Sequence, residues 1–265
     1  MDGSPTAGAG EGRGPAIGLA RLRTWLVASA SYPANAGDLR TIDVLGLRLP
    51  IRATIAIVAV TLILLLDYHG RIEGLVSSVL GAPTTAAELK RIQSIGRVVM
   101  LGVVPLLVIL LLMRDRPTRY GVRPGDRRAG LAIGVAGCFL MTPIVLAVAR
   151  IPAFAAYYAP QAAAPLDVFL TTALEVIPAE FFYRGFLMFA LLRVIGPVAV
   201  LVATLPFAFA HLGKPEVEVL STVAGGLAYG WLDWRSGSVL WSGLVHTWIL
   251  SLVVIAAAAF GPPPA

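Results

Sequence analysis

The sequence predicts an all-α, polytopic helical membrane protein with about seven transmembrane helices. Of the 265 residues, 57% are hydrophobic and only 14% charged. The mean hydropathy is +0.81, and Lys and Arg fall mostly between the apolar runs. An ordinary soluble domain has about a quarter of its residues charged, so the solvent for most of this chain is lipid. The net charge of +6 comes without any nucleic-acid motif or interleaving of basic and aromatic residues, and membrane topology is the better use for it. The single cysteine, Cys138, lies in an apolar run, which excludes an intramolecular disulfide and a cysteine-based zinc cluster.

Met1–Pro15 is rich in Gly, Ala, Ser and Pro. It lacks a basic segment followed by an apolar one, so it reads as a disordered tail rather than a signal peptide. Ala16–Tyr32 is apolar but contains Arg21 and Arg23, which suits a helix lying along the interface. Residues 1–50 are therefore a cytoplasmic tail with an interfacial helix. A helix crosses about 30 Å of hydrocarbon with about 20 residues, and seven runs approach that length: 52–68, 97–113, 129–149, 168–193, 197–212, 217–234 and 237–260. The first two occupy residues 51–119 and precede a core over 120–260. Ala86–Ile95 leads into the second run, and Ile151–Asp167 suits a capping loop or a short re-entrant piece. Gly226 and Gly230 form a small-xxx-small pair that lets helix backbones approach closely.

Short cytoplasmic loops are enriched in Lys and Arg. With the N-terminus inside, fourteen basic residues fall on the inner side, including Arg13, Arg52, Arg114, Arg128, Arg193 and Arg235. Six fall outside: Arg71, Lys90, Arg91, Arg97, Arg150 and Lys214. The expected location is the plasma membrane of a bacterium, with a cytoplasmic N-terminus and an external C-terminus.

Ionisable groups inside spans are costly and face a protein interior or an aqueous cavity. The fourth run holds Glu175, Glu180 and Arg184. Glu180 and Arg184 are four apart, so they are neighbours on one helix face and can neutralise each other, which by itself describes a structural ion bridge. His211 closes the fifth run and His246 lies inside the seventh; a lone histidine on such a helix is commonly just packed and hydrogen-bonded. At about 1.5 Å per residue, Glu180, His211 and His246 lie roughly 20, 21 and 13 Å from the inner ends of their spans. All three therefore fall within the bilayer. A carboxylate and two imidazoles can deprotonate a water and stabilise the oxyanion formed on its attack, or ligate a divalent metal such as zinc. Spacing does not separate these readings.

Ala179-Glu180-Phe181-Phe182-Tyr183-Arg184-Gly185 resembles the first motif of the CPBP (CAAX protease and bacteriocin-processing) family, also called the Abi or CAAX prenyl endopeptidase family: two glutamates, three residues, arginine and commonly glycine. Phe207 with His211 resembles the second, Phe-xxx-His, and His246 takes the place of the last motif's histidine. Tyr120-Gly121-Val122-Arg123 is similar to the segment that often precedes the family core. The resemblance runs from about Tyr120 to Leu250. Two positions depart from it: Ala179 stands where the family has its water-activating glutamate, and Leu250 where it has Asn or Asp.

The resemblance implies an intramembrane endopeptidase of the CAAX-protease type acting on membrane-associated or prenylated peptides, with the bilayer and such peptides as its partners. Glu180 is then the general base, His211 orients the water, His246 stabilises the oxyanion and Arg184 fixes Glu180. Phe207 and Glu175 support the site; Glu175 shares the face of Ala179 one turn away. Glu218 follows His211 by seven residues, but Gly213 and Pro215 interrupt any common helix. The family has been called metallopeptidase, but a glutamate-and-histidine mechanism needs no metal. Ala179 and Leu250 motivate an alternative, an inactive member serving as a membrane binding protein or chaperone. A proton-coupled transporter is disfavoured by the lack of repeated halves.

Overall fold

A computed structural model of the protein describes residues 15–27 and 32–261; apart from Pro15, the tail expected over Met1–Pro15 lies outside them. The described chain is helical except for loops and one short hairpin. Helix α1 (Pro15–Val27) falls in the segment expected at the interface. Strands β1 (Thr41–Val44) and β2 (Leu47–Pro50) follow, antiparallel, with Thr41 opposite Pro50 and Val44 opposite Leu47. Composition gave no sign of this hairpin. Its two-residue turn, Leu45-Gly46, has positive φ at both positions, as a twisted two-residue hairpin turn requires.

Helices α2 (Ile51–Tyr68) and α3 (Arg71–Leu80) come next, then the long α4 (Ala86–Leu112). The segment 86–95, expected to lead into the second span, is continuous with it in this one helix. Thr85 and Glu88 start α4 with a reciprocal capping box, which satisfies two of the orphan N–H groups at a helix start. Helix α5 (Arg127–Val148) begins at Asp126, whose side chain accepts from the Ala129 N–H at 3.0 Å. The stretch 151–167 folds as a short helix, α6 (Pro152–Gln161), bent by 97° against α7 (Pro165–Ile195). Helices α8 (Val198–Phe209), α9 (Glu216–Ser236) and α10 (Leu240–Phe260) complete the chain.

Every expected span coincides with a helix. Four of them, α2, α4, α5 and α10, are long and apolar enough to cross a membrane, and the bent pair α6–α7 makes a fifth if it counts as one broken span. Helix α8 is apolar but short, while α9 carries Glu216, Glu218, Asp233 and Arg235. Large side chains such as Leu62 on α2 and Phe139 and Leu140 on α5 are exposed, the pattern of a lipid-facing surface in a chain this apolar.

Helix α7 is the centre of the molecule. Its first half packs against α4 and α10, and its second half against α2 and α8. Phe182, Phe186, Met188 and Phe189 in that second half are fully buried. Gly185 allows a close approach: a Cβ there would lie 2.8 Å from the Tyr120 carbonyl oxygen and 2.7 Å from the Phe181 ring. Helices α8 and α9 meet through Gly226 and Gly230, where added Cβ atoms would lie 2.6 Å from Thr204 and 2.7 Å from Val200. The small pair read from the sequence is therefore a helix-packing device.

Polar contacts gather in two networks outside the centre. In one, Asp38 pairs with Arg52 at 2.9 Å and with Arg119, Asp115 pairs with Arg52 and Arg119 at 3.1 and 3.2 Å, and Asp126 pairs with Arg235 at 2.9 Å. Arg123 donates to the Gly237 carbonyl at 3.0 Å. In the other, Lys90 and Arg97 pair with Glu175, and Lys214 pairs with Glu218, which also accepts from the Tyr158 hydroxyl.

Candidate active site

Residues Phe181–Met188 of α7 form a π-helical stretch that opens the helix immediately after Glu180; such wide turns occur frequently at functional sites. Glu180 is completely buried. Its Oε1 lies 2.7 Å from His246 Nδ1 on α10, and its Oε2 lies 3.1 Å from Arg184 Nη1, one turn ahead. The Arg184 guanidinium is also buried and lies over the Phe207 ring at 3.9 Å, a cation–π contact that is strong when desolvated. The neighbours expected from the spacing, Glu180 and Arg184, are therefore paired. They belong to a larger constellation.

Phe207 sits between the two histidines. Its ring centroid lies 4.5 Å from that of His211 and 6.0 Å from that of His246. His211 Nδ1 lies 2.8 Å from the Phe207 carbonyl oxygen. A carbonyl only accepts, so this bond puts the proton on Nδ1 and leaves Nε2 with a free lone pair. The same logic applied to His246 Nδ1 beside a carboxylate leaves its Nε2 pointing away from Glu180. Tyr229 of α9 stacks on His246 at 4.9 Å and 19° and fixes the plane of that ring.

Helix α8 ends at Phe209, and His211 occupies the turn before α9, with Gly213 at φ +90°. That break sends Glu218 to Lys214 and Tyr158 rather than to His211. Glu175 also stands apart from the histidines. It lies on the stripe of α7 that faces α4, where Lys90 (2.7 Å) and Arg97 hold it. Ala179, one turn further, is partly buried against the apolar core, and Leu250 is buried in the apolar cluster with Val253 and Val254. The structure thus brings together Glu180, Arg184, Phe207, His211 and His246, and leaves Glu175 in a separate ion cluster.

Two groups beside the site escaped the sequence reading. Asp233 of α9 is completely buried and accepts from the Ser242 hydroxyl at 2.7 Å. Asp233 falls inside the sixth expected span, so the cost of an intramembrane carboxylate was a signal for it. Ser242 carries no such signal. Among the described residues, no three of His, Cys, Asp and Glu are gathered as metal ligands. Glu180 turns one oxygen to an imidazole and the other to a guanidinium, and His211 Nδ1 is tied to the Phe207 carbonyl in the last turn of α8.

Residues 161–258 match the family model described as Rce1-like, type II CAAX prenyl endopeptidase. The match supports membership in the CPBP/CAAX protease family. No curated protein and no solved structure gave a match. The matched CAAX-protease segment begins at the end of α6 and runs nearly to the end of α10, so it contains Glu180, Arg184, Phe207, His211 and His246. It also contains both departures, Ala179 and Leu250, and excludes the Tyr120–Arg123 segment.

Proposed function

We propose that this protein is an intramembrane endopeptidase of the CAAX-protease type that cleaves membrane-associated or prenylated peptides. The observation that carries the reading is the buried Glu180, held at 2.7 Å by His246 and at 3.1 Å by Arg184 within the family-matched segment. A carboxylate has about four lone-pair sites, so these two contacts leave room for a water. Glu180 takes a proton from that water, which His211 orients through Nε2, and His246, as an imidazolium with Nδ1–H on Glu180 and Nε2–H free to donate, stabilises the oxyanion that forms. Arg184 keeps Glu180 ionised and in place. The His246 side chain is 14% exposed where Glu180 is fully covered, so access to the carboxylate runs past the imidazole. Residues 120–260 are the catalytic unit in this reading, and a bacterial plasma membrane with the N-terminus inside is its setting.

A second reading has support of its own. Ala179 and Leu250 both lie in apolar packing, which suits a family member that keeps the fold as a membrane binding protein and has lost the chemistry. Purified protein assayed in detergent on prenylated and unprenylated peptides separates the two. In the peptidase reading, Glu180→Gln and His211→Ala each lower cleavage by about 10²- to 10⁴-fold, the usual worth of general acid–base assistance, while Glu175→Gln costs less. If wild type and Ala179→Glu are both folded and inert across the panel, the binding reading replaces it.

A further inference from the structure

We infer that the hairpin β1–β2 is a membrane-surface anchor, a small amphipathic sheet that lies on anionic phospholipid where α2 enters the bilayer. The inference is independent of the peptidase reading, and the hairpin lies outside the family-matched segment. The register sorts its side chains. Ile42 stands opposite Leu49 and Val44 opposite Leu47, while Thr41 stands opposite Pro50 and Asp43 opposite Arg48. Side chains alternate along a strand and opposite partners share a face, so one face is wholly aliphatic and the other carries the polar groups. Ile42, Val44 and Leu47 of the aliphatic face are exposed. A lone two-stranded hairpin is marginally stable in water and needs packing on its apolar face.

The turn adds a second sign. Leu45 is 99% exposed and takes φ +53°, a conformation rare for a bulky residue and one that hairpin turns usually give to Asn, Asp or Gly. Gly46 suits its place at φ +84°, and its N–H donates to Asp43 Oδ1 at 3.0 Å. Leucine at the tip therefore serves neither the turn nor the packing of the fold. An apolar phase outside the protein accounts for it.

Position and charge identify that phase as lipid. Pro50 ends β2 and Ile51 starts α2, and the Ile51 N–H donates to the Arg40 carbonyl at 2.9 Å. The hairpin is thus fastened to the first turn of a helix long and apolar enough to cross a membrane. Arg52, the next residue, joins the ion network with Asp38 and Asp115, which marks this level as the edge of the apolar layer. Arg40 and Arg48 are exposed, and among the described residues neither forms an ion pair. Free basic groups beside aliphatic ones at a membrane edge match phosphate above acyl chains. The hairpin lies flat and shallow, because the outward N–H and C=O groups of its two edges need water or headgroups and find no partner in hydrocarbon.

The test uses the full-length protein in nanodiscs, with the free Cys138 replaced by Cys138→Ser and a nitroxide attached at Leu45→Cys, Leu47→Cys or Thr41→Cys. Relaxation by oxygen, which concentrates in lipid, and by a nickel chelate, which stays in water, measures the depth of each label. With phosphatidylglycerol in the disc, the labels at positions 45 and 47 should lie about 5–10 Å below the phosphates, the usual depth of an interfacial apolar face, and the label at 41 should face the chelate. In pure phosphatidylcholine, or with Arg40→Gln and Arg48→Gln together, the first two labels should move toward water. Thermal unfolding in detergent checks that each variant is folded, and two apolar-face positions guard against one label that disturbs the turn. Labels at 45 and 47 as open to the chelate as the label at 41 overturn the inference. Labels shielded from both reagents also overturn it, because protein then covers the face, and spin–spin broadening would name a second copy as that cover. A depth indifferent to headgroup charge and to the two arginines overturns the assignment to anionic lipid.

Discussion

Glu180 receives an imidazole and a guanidinium, both from side chains that are buried or nearly so. Removing one member of such a buried pair is more damaging than removing both, because it strands a charge. Arg184→Ala is accordingly expected to destabilise the protein by about 3–5 kcal/mol, and Glu180→Gln with Arg184→Ala by less, as read from thermal unfolding in detergent. Additive losses across that cycle would show that the two groups do not interact. Part of this arrangement was legible in the sequence, since the spacing of four that puts Glu180 beside Arg184 is a property of any helix. The separation of Glu175 was also latent there. Neighbouring helix positions point about 100° apart, so Glu180 turns to α10 while Ala179 and Glu175 turn to the core and to α4. Which cations would meet Glu175 was not legible, because Lys90 and Arg97 lie on a helix far away in sequence.

Helix α7 shows how far a single element can be read ahead. Its apolar run and its polar residues were evident, but the π-helical stretch depends on how the helix fits its neighbours and has no period of its own to detect. Gly185 lies within that stretch, where the Tyr120 carbonyl would sit 2.8 Å from an added Cβ. Backbone cannot swing aside as a side chain can, so Gly185→Ala is expected to cost about 1–3 kcal/mol by overpacking and to lower the unfolding temperature in detergent; an unchanged temperature would contradict the close approach. The start of α5 behaves differently because it is charged and lies outside the apolar run. The Ala129 N–H bond and then the Arg235 guanidinium hold the Asp126 carboxyl below the usual carboxylate range. A group lowered by folding contributes stability above its unfolded value of about 3.9, and the contribution fades as the pH falls through the folded value. The difference in unfolding temperature between wild type and Asp126→Ala should therefore narrow as the pH drops below about 4. A gap that widens in acid would reverse the sign.

At the scale of the whole molecule, the two polar networks sort the basic residues as the positive-inside count does. Arg52, Arg119, Arg123 and Arg235 make their contacts in the network that joins the segment before α2, the segment between α4 and α5 and the end of α9. Lys90, Arg97 and Lys214 belong to the other. Helices alternate between two ends in both descriptions, although the sequence alone gave seven crossings and the lengths of the helices qualify four or five. The difference lies in α8, too short, and α9, too charged, and in the 97° bend before α7. A run read from composition alone does not register where such helices break. Orientation then rests on charge, with fourteen basic residues assigned to one side and six to the other. Since Lys and Arg are retained on the cytoplasmic side, a reporter inserted near Pro124 is expected to be cytoplasmic and one fused after Ala265 extracytoplasmic. The second position tests the number of crossings as well as their direction, because losing one crossing returns the C-terminus to the cytoplasm while Pro124 stays inside. Both reporters cytoplasmic would keep the orientation and rule out seven crossings; Pro124 outside would overturn the orientation itself.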